Sequence, residues 1–536
     1  MPLYHAPTAD FQFLLKDWLG LDAHYQKLGI GDFDSELASE IIAQGAKFAL
    51  DVVAPLNREG DEEGCHLENG SVTTPKGFAD AYQEYVANGW NAMLGSADYD
   101  GQDLPYTMAV PVHEMLNAAN LSWRLTTMLT ESAVLAVTKH ASDDLKNKYL
   151  AKLISGEWTG TMNLTEPHAG TDLSLLNTKA EPQDDGSYKI TGNKIFITAG
   201  DQDWSSNIVH LVLARLPDAP KGVKGISLFL VPKFLLDDNN EPGEANQVSV
   251  GSIEHKMGIK GSPTCVMNYD GAKGWLVGEE GRGVPAIIEM VAMTRFDCMI
   301  GSASGQRQAV AQAVNHAAGR AAFGKTLLDQ PLMRNVLADL QLEVEGSLAI
   351  AMRMGEALDQ STLDPSNSHE SLLLRLGLPA GKYWICKRTP FHAYEAMECL
   401  GGNGVTEDFI MARLYREAPI NAIWEGSGNV QALDMLRALG KTPAVLDTWF
   451  AELAKTRFDK EVDSAEIQEF IADEVATGFG RTSSTSRLSP SAVTEVLAGG
   501  MGERRGGGAG AAVMSRSRSP AGGWSARDRD GGCGRG

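Results

Sequence analysis

The order of two kinds of sequence pattern constrains the fold of this 536-residue chain more than any other feature. Apolar residues recur at spacings of three and four up to about Gly156 and again after Gly283, which is typical of helices. From about Trp158 to Gly283, β-branched and aromatic runs alternate with glycine turns, which is typical of strands. We therefore expect an α+β multidomain fold in which a compact β domain separates two sets of helices.

Individual segments show how local these signals are. Ser142, followed by two aspartates and Leu145, reads as a capped helix start. Five apolar residues keep one face of a later helix, as a bundle helix requires: Leu332, Val336, Leu340, Val344 and Leu348. The division we expect is a lead segment (1–34), an N-terminal helical domain (35–158), a central β domain (159–283), a C-terminal helical bundle (284–447), a helical extension (448–477) and a tail (478–536).

Charge and composition exclude several classes of protein. The net charge of −22 disfavours a general binder of nucleic acids or anionic membranes, because phosphates are repelled at long range. We find no apolar run of about 20 residues, and the first residues carry neither the basic nor the apolar part of a secretory signal. The six cysteines show no CxxC spacing, which favours reduced thiols over a zinc site. We expect a cytoplasmic protein that does not enter a membrane.

The tail from Gly478 onward differs from the rest. It contains nine arginines, no lysine and four acidic residues, and it is dense in glycine and serine. One interpretation is a basic disordered arm for nucleic acid, and the other is a non-native, frame-shifted end without function. Neither interpretation requires secondary structure here.

The most informative short segment is Ile423-Trp-Glu-Gly-Ser-Gly-Asn429. A carboxylate at Glu425 can act as a base, and the neighbouring glycines allow a flat ligand to approach the backbone. Taken alone, such a glutamate is more often a solvated residue at a helix entry. Its interpretation depends on segments far from it in the chain.

Four other segments suit a flavin dinucleotide. The run Leu164 to Asp172 is a glycine-containing loop with two threonine hydroxyls, and Phe196-Ile197-Thr198 offers an aromatic ring and a hydroxyl. Arg320 and Phe323 pair a fixed cation with a ring, as a diphosphate and an adenine require. Gly401-Gly402-Asn403 permits close approach of a phosphate or forms a helix C-cap. Each segment alone also has a purely structural interpretation.

Together and in this order, the segments resemble the acyl-CoA dehydrogenase family over roughly residues 35–445. The resemblance implies an N-terminal helical domain, a central β-barrel-like domain and a C-terminal four-helix bundle. It also implies bound FAD, an acyl-CoA substrate, an electron-transfer flavoprotein as partner, and a homo-oligomer (dimer or tetramer) whose neighbouring subunit contacts the cofactor.

The resemblance assigns roles residue by residue. Glu425 matches the catalytic base. Substrate contacts match Thr171, Thr294, Arg295 and Gly426. FAD contacts match Met162, Leu164, Thr165, Gly170, Thr171, Phe196, Ile197, Thr198, Arg320, Phe323, Gln330, Gly401, Gly402, Asn403, Ser427 and Asn429. In this chain Phe196 stands where the family often has tryptophan, and Met162 replaces a frequent aromatic residue.

The mechanism implied is α,β-desaturation of a thioester. Glu425 removes the α-proton while a hydride leaves the β-carbon for flavin N5. A free glutamate has a pKa of about 4.3 and is a weak base for such a carbon acid. We expect enclosure of Glu425 to raise its pKa, and hydrogen bonds to the thioester oxygen to acidify the α-proton.

Two branches of the family resemble different halves of the chain. The front half is similar to FadE-like enzymes, including methylthiopropanoyl-CoA dehydrogenases. The back half is similar to AidB, a flavoprotein of the alkylation response that binds DNA and is a feeble dehydrogenase. A DNA binder neutralises phosphates with Lys and Arg, whereas residues 1–477 sum to about −27. Charge therefore favours the dehydrogenase, and AidB-like DNA binding and a flavin oxidase or monooxygenase remain the alternatives.

Overall fold

The structure of the chain, a computed structural model, describes residues 4–455. Its α-helices are α1 (Thr8–Gln12), α2 (Leu21–Leu28), α3 (Ser35–Phe48), α4 (Leu56–Glu63), α5 (Phe78–Ala87), α6 (Tyr106–His140), α7 (Asp143–Ser155), α8 (Gly283–Gly319), α9 (Pro331–Leu363), α10 (Ser368–Glu398), α11 (Ile410–Glu417), α12 (Gly428–Lys441) and α13 (Ala444–Lys455). The tail and all but the first residues of the expected extension lie outside the described residues.

Strands occupy the middle of the chain. They are β1 (His66–Glu68), β2 (Ser71–Thr73), β3 (Trp158–Asn163), β4 (Lys179–Pro182), β5 (Tyr188–Thr198), β6 (Asn207–Arg215), β7 (Ile226–Pro232), β8 (Phe234–Leu236), β9 (Pro242–Ala245), β10 (Val248–Ile253), β11 (Thr264–Val277), β12 (Ala321–Ala322) and β13 (Lys325–Thr326). The expected order of helices, sheet and helices is confirmed.

The main sheet has seven strands of mixed direction. Its order is β10-β11-β5-β4-β6-β3, and β7 pairs with both β11 and β6. The pairing of β3 with β6 is parallel, and β5 and β11 form a long antiparallel pair. The double pairing of β7 curls the sheet, but β10 and β3 remain at its ends. The expectation of a barrel-like domain is confirmed: the pairings run from β11 through β5, β4, β6 and β7 back to β11, although β10 and β3 at the ends keep the sheet from being a closed barrel.

Side-chain caps explain where several helices start. Asp34 accepts hydrogen bonds from the backbone N–H groups of Glu36 and Leu37, which starts α3. The predicted cap at Ser142 is confirmed, because its hydroxyl accepts from the backbone N–H of Leu145.

Helix α6 was not foreseen in its full length, and it contains a break. Asn120 has φ −162° and ψ 93°, which interrupts the helix at its centre. The Asn120 side chain accepts a hydrogen bond from the backbone N–H of Trp123 at 3.2 Å, as an N-cap does. The second half of α6 therefore restarts as a separate helix in a new direction, and its residues face the sheet and α8.

The C-terminal helices form the bundle that supports the site. Helices α8, α9 and α10 pack against one another, α12 packs on α10, and α6 packs on α8. Of the predicted apolar stripe on α9, Leu340, Val344 and Leu348 are buried, whereas Leu332 is 85% exposed at the start of the helix. Within residues 4–455, none of the helices combines the length and the apolar character that a membrane crossing requires.

Candidate functional site

Glu425 lies in a tight turn directly before α12. Its backbone φ is 55° and that of Gly426 is 90°, so two successive residues adopt the left-handed conformation. A residue other than glycine is strained there, and such strain is found most often at functional sites. The turn directs the Glu425 side chain toward α8.

The Glu425 carboxylate is partly enclosed and has a hydroxyl partner. Thr294, itself fully buried on α8, donates its hydroxyl to Glu425 Oε2 at 2.7 Å. Burial raises the pKa of Glu425, and the Thr294 hydrogen bond, Lys382 and Arg295 oppose that rise without cancelling it. The structure thus brings the predicted base together with three of the predicted substrate residues, Thr294, Arg295 and Gly426, whereas Thr171 lies on the loop between β3 and β4.

The backbone of this turn is held by three side chains, those of Lys382, Gln431 and Arg295. Lys382 on α10 donates to the carbonyl oxygens of Trp424 and Gly426, at 2.6 and 2.7 Å. The carbonyl oxygen of Glu425 lies 3.0 Å from Gln431 Nε2. Sequence reasoning missed Lys382 and Gln431, because nothing near them in the chain marks them as partners of the turn.

Arg295 is held in place from the other side. Its Nε lies 3.3 Å from the carbonyl oxygen of Glu425, and its guanidinium pairs with Asp434 at 2.8 Å. Asp434 also pairs with Arg375, and the two arginines overcome the effect of burial and lower the pKa of Asp434. Arg295, predicted to contact substrate, thus contacts the backbone of the base and a fixed carboxylate.

Phe196 is displayed by an irregularity in β5. Ile197 pairs with Cys265 but Lys194 pairs with Met267, so β5 has one more residue than β11 between these pairs. This is a β-bulge, and Phe196 within it has a φ of 60°. The bulge turns the ring outward, where it is 61% exposed, while Ile197 is buried and Thr198 is partly buried.

The Thr165 loop lies beside this bulge. The carbonyl oxygen of Thr165 accepts a hydrogen bond from the N–H of Ile195 at 2.9 Å, and that of Leu164 accepts one from Lys194 Nζ at 3.1 Å. Lys194 also pairs with Glu166 Oε1 at 2.9 Å. The structure therefore places two of the predicted cofactor segments side by side.

Glu166 fixes the shape of the Thr165 loop. Its carboxylate accepts hydrogen bonds from the backbone N–H groups of Asn177 and Thr178 and from the Thr178 hydroxyl. Burial alone would raise the pKa of Glu166, but Lys194 and these hydrogen bonds outweigh it and lower that pKa. Sequence reasoning included Glu166 in the motif but gave it no role.

The remaining predicted residues of this region vary in exposure. Gly170 and Thr171 are exposed at the end of the loop, and Met162 is partly buried on β3. Met162 packs against the apolar cluster under the sheet.

A second group of predicted residues projects from the end of α8. Arg320 and Phe323 lie on the β12–β13 hairpin, where Phe323 has φ 53° and is 99% exposed. Gln330 closes the hairpin by donating to the carbonyl oxygen of Ala322 at 3.0 Å. The structure brings these three residues together and directs Phe323 into the solvent.

The third group follows α10 and precedes α12. Gly401, Gly402 and Asn403 are exposed in a short 3-10 turn, and Gly401 has φ 58°. Ser427 and Asn429 are exposed at the start of α12. The predicted cofactor residues thus form three groups on separate elements. The first is the β5 bulge with the Thr165 loop, the second is the β12–β13 hairpin, and the third comprises the segments that follow α10 and precede α12.

A buried polar cluster lies elsewhere between α6 and α8. His113 Nε2 is 3.6 Å from Glu131 Oε2, and Arg124 pairs with the same oxygen at 2.8 Å. Burial raises the pKa of Asp297, which lies 4.0 Å from His113, and lowers that of His113 to about 4. His113, Glu131 and Asp297 line a cavity of about 510 Å³. Sequence reasoning missed it.

Comparison with known proteins places this geometry in context. Sequence profiles of the acyl-CoA dehydrogenase N-terminal, middle and C-terminal domains match residues 35–157, 161–272 and 281–440. The chain is 37% identical over 449 residues to the 3-methylmercaptopropionyl-CoA dehydrogenase of Ruegeria pomeroyi, spanning 81% of this chain and 76% of that protein. This chain belongs to the acyl-CoA dehydrogenase family.

Other relatives agree with this assignment. The putative acyl-CoA dehydrogenase AidB of Escherichia coli is 42% identical over 287 residues, which cover 53% of this chain and 49% of AidB. The structure of ACDH-11 from Caenorhabditis elegans in complex with C11-CoA superimposes with a TM-score of 0.74 at 24% identity, over 85% of this chain and 77% of that one. The last comparison concerns the fold alone.

Membership of the acyl-CoA dehydrogenase family makes the chain an oxidoreductase acting on the CH–CH group of acyl-CoA thioesters. The family consists of FAD-dependent flavoproteins, which confirms the predicted cofactor. The residues around Phe196 suit a flavin. A strained bulge holds an exposed aromatic ring beside the Thr198 and Thr165 segments, and a flat ring system covers such a surface favourably.

Proposed function

We propose that this acyl-CoA dehydrogenase desaturates the α,β bond of an acyl-CoA thioester with Glu425 as the base. The observation that carries the proposal is the geometry of Glu425: a partly enclosed carboxylate with a raised pKa, held by Thr294 in a strained turn. A carboxylate with a raised pKa accepts a proton more readily, and catalytic bases are tuned in this way.

Glu425 and its two partners on α8, Thr294 and Arg295, each have a role in that reaction. Glu425 accepts the α-proton, the electrons of the broken C–H bond form the double bond, and a hydride leaves the β-carbon. The acceptor for that hydride would be supplied by FAD, held by the residues proposed below. Thr294 orients the carboxylate through Oε2, which leaves Oε1 for the proton. Arg295 keeps the turn and α8 together through the Glu425 carbonyl oxygen.

We also propose the residues that hold the cofactor. Phe196 and Thr198 would lie along the flavin ring, Thr165 would contact its pyrimidine end, and Gly170 and Thr171 would contact the pyrophosphate. Their support is that the bulge and the Thr165 loop are adjacent. Met162, Leu164, Ile197, Ser427 and Asn429 complete the proposed set.

Some of the proposed cofactor contacts belong to a neighbouring subunit. The almost fully exposed Phe323, on a hairpin stiffened by Gln330, supports a homo-oligomer in which this hairpin and the Gly401 turn reach a neighbour's FAD. An electron-transfer flavoprotein would then receive the electrons. We propose the cytoplasm as the compartment, supported by five free cysteines within residues 4–455.

An anaerobic titration of the FAD-loaded chain tests the reaction class. Propionyl-, butyryl-, octanoyl-, palmitoyl- and 3-methylthiopropanoyl-CoA are added separately while the flavin absorbance near ~450 nm is followed. Bleaching by one of them supports desaturation and gives the substrate range. A flavin that none of them bleaches would contradict the proposal.

Replacing the base tests its role directly. Glu425→Gln is expected to retain FAD and to lose about 10²- to 10⁴-fold in turnover, the usual contribution of a general base. Glu398→Gln, an exposed residue on α10 that accepts a bond from Tyr394, is the control and should turn over normally. Full activity of Glu425→Gln would remove Glu425 from the mechanism.

AidB-like DNA binding is not favoured, because the net charge of −22 repels phosphate. A salt-sensitive shift of duplex DNA in a gel would support it. Rapid reoxidation of the reduced flavin by air, with peroxide as product, would indicate an oxidase or monooxygenase instead.

A further inference from the structure

Lys382 occupies an unusual position for a lysine. It lies in the middle of α10 and is only 1% exposed. Fully buried lysines usually pair with a carboxylate, as Lys194 does with Glu166 at 2.9 Å. The hydrogen bonds of Lys382 instead go to two backbone carbonyl oxygens, those of Trp424 and Gly426. The cost of burying this ammonium group therefore calls for an explanation.

The two carbonyl groups lie on either side of Glu425. The Trp424 carbonyl belongs to the peptide plane that enters Glu425 and the Gly426 carbonyl to the plane that leaves Gly426, so a single ammonium group ties these two planes together at 2.6 and 2.7 Å. Glu425 and Gly426, with φ of 55° and 90°, lie between those planes, and Arg295 and Gln431 hold the plane between the two residues through the Glu425 carbonyl oxygen. The direction in which the carboxylate leaves the backbone is thereby fixed as well.

The charge of Lys382 acts on the carboxylate without pairing with it. Lys382 and Arg295 are the cations that oppose the rise in the pKa of Glu425. The other titratable groups around them are the Cys298 thiol on α8, the Cys386 thiol on α10 and Asp434 on α12, which pairs with Arg295. A direct ion pair would occupy the carboxylate and make it a weaker base. By binding the carbonyl oxygens, Lys382 stabilises the turn and leaves the carboxylate free for the substrate.

We propose that Lys382 is a positioning residue for the catalytic base, acting as a clamp on the carbonyl oxygens on either side of Glu425. This inference rests on the proposed function. It makes α10 a part of the catalytic apparatus, although no residue of that helix needs to touch the substrate for this role.

The test compares Lys382→Met with Lys382→Arg and with Arg388→Gln in the full-length, FAD-loaded chain. Arg388 is the matched control, because it is a cation on the same helix whose exposed ion pair with Glu343 lies outside the site. The substrate is whichever acyl-CoA of the panel above the unmodified chain reduces fastest. The measurements are kcat, KM and the pH profile of kcat/KM, each per bound flavin.

We expect Lys382→Met to lose about 10- to 100-fold in kcat, since a displacement of about 1 Å in a reacting group has an effect of that size. Its KM should change much less. The acidic limb of its pH profile should move to higher pH, because a cation that favours the ionised carboxylate is gone. Lys382→Arg should keep that limb in place because it keeps the charge, and Arg388→Gln should match the unmodified chain.

Hydrogen exchange of the backbone amides in residues 423–428 gives a readout that requires no turnover. These amides should exchange faster in Lys382→Met than in Arg388→Gln. If Lys382→Met does not retain FAD, Lys382→Gln is measured in its place. The acidic limb of its pH profile should likewise move to higher pH. Unchanged kcat per flavin, an unmoved limb and unchanged exchange would overturn the inference and leave Lys382 a merely structural residue.

Glu425→Gln measured in parallel separates the two ideas. If Glu425→Gln is inactive while Lys382→Met behaves normally, the base is correct and the clamp is wrong. If Glu425→Gln is fully active, the proposed function itself is wrong.

Discussion

Glu425 and Glu131 are both largely enclosed glutamates near α8, yet their pKa values move in opposite directions. For both, burial is the largest influence and raises the pKa. At Glu131 a direct ion pair with Arg124 at 2.8 Å, together with His113, reverses the effect, so its pKa is lowered. At Glu425 the nearest cations bind backbone carbonyl oxygens instead of the carboxylate, and burial prevails.

The comparison shows that the group to which a nearby cation binds decides the direction of the pKa of a buried glutamate. A cation that pairs with the carboxylate lowers that pKa, whereas cations that bind neighbouring carbonyl oxygens leave the effect of burial in place. Arg124 keeps Glu131 ionised and makes it part of the structure. Lys382 fixes the turn around Glu425 and leaves its carboxylate able to take a proton.

The two glutamates also have opposite effects on stability as pH changes. The raised pKa of Glu425 means that the folded chain holds this proton more tightly than the unfolded chain, whose value is about 4.5. Its contribution is therefore present below that value and is lost as pH rises through the folded pKa. The lowered pKa of Glu131 gives a contribution that is present above about 4.5 and is lost as pH falls through its folded value.

The largest expected effect is that of breaking the Arg124–Glu131 pair. Arg124→Met leaves a buried carboxylate without its cation, and we expect a loss of about 3–5 kcal/mol in the free energy of unfolding. Urea denaturation at pH 7 measures it. Arg58→Met breaks an exposed pair with Glu62 and should leave the stability nearly unchanged. Equal losses of stability in the two variants would show that the buried pair of Arg124 with Glu131 does not explain the contrast between Glu131 and Glu425.

A smaller effect is expected from distorting the Glu425 turn. Gly426→Ala forces a side chain onto a backbone with φ 90°, and its Cβ would lie 2.7 Å from Gln431 Nε2. We expect a cost of about 1–2 kcal/mol and a reduced turnover. Gly271→Ala, with φ 83° and no atom within 4 Å of the added Cβ, isolates the backbone strain. Equal thermal unfolding of the two variants would show that the contact with Gln431 is unimportant.

Removing the hydroxyl partner of the base sharpens the comparison. Thr294→Val deletes the bond to Glu425 Oε2, which should cost about 1 kcal/mol of stability. The acidic limb of the kcat/KM profile should move to higher pH, because the ionised carboxylate loses a donor. Ser35→Ala, whose hydroxyl donates to the exposed Asp22 on the N-terminal side of the fold, is the control and should leave the profile unchanged. A shift to lower pH would contradict the role given to Thr294.

The smallest expected effect concerns the stability of Glu425→Gln. Since the ionised carboxylate is unfavourable in the folded state, this variant should be equal to the unmodified chain in stability, or more stable by less than about 1 kcal/mol, at pH 8. The difference should shrink toward pH 4.5, the unfolded value. Thermal unfolding at several pH values measures it. A variant that is clearly less stable at pH 8 would mean that the carboxylate makes favourable contacts beyond Thr294.

The order of elements was predictable from the sequence because helical and strand periodicities are local. The cap at Ser142 and the glycine-flanked carboxylate at Glu425 were also recognisable, since each is defined by residues next to one another. The site residues, in contrast, were assigned by resemblance, and they remain proposals.

What the sequence did not reveal depends on contacts between distant segments. Lys382 is 43 positions before Glu425 and reads as an ordinary helix cation. The Arg124–Glu131 pair spans a spacing of seven, which on a helix is also met by surface residues. The barrel-like domain was expected, but not that β10 and β3 remain at the ends of the sheet, because strand lengths do not show which strands pair.

The bulge in β5 has a consequence for how this segment can vary. Residues 190 and 194 are buried in step with a regular strand, but the next buried residue is Ile197, so the strand changes phase once. Deleting a single residue between Lys194 and Ile197 would make the strand regular while leaving Ile197 inward and paired with Cys265, so the bulge alone would be lost. The extra residue therefore serves the display of the ring: a different ring at position 196 is tolerable, whereas a deletion that removes the bulge is not.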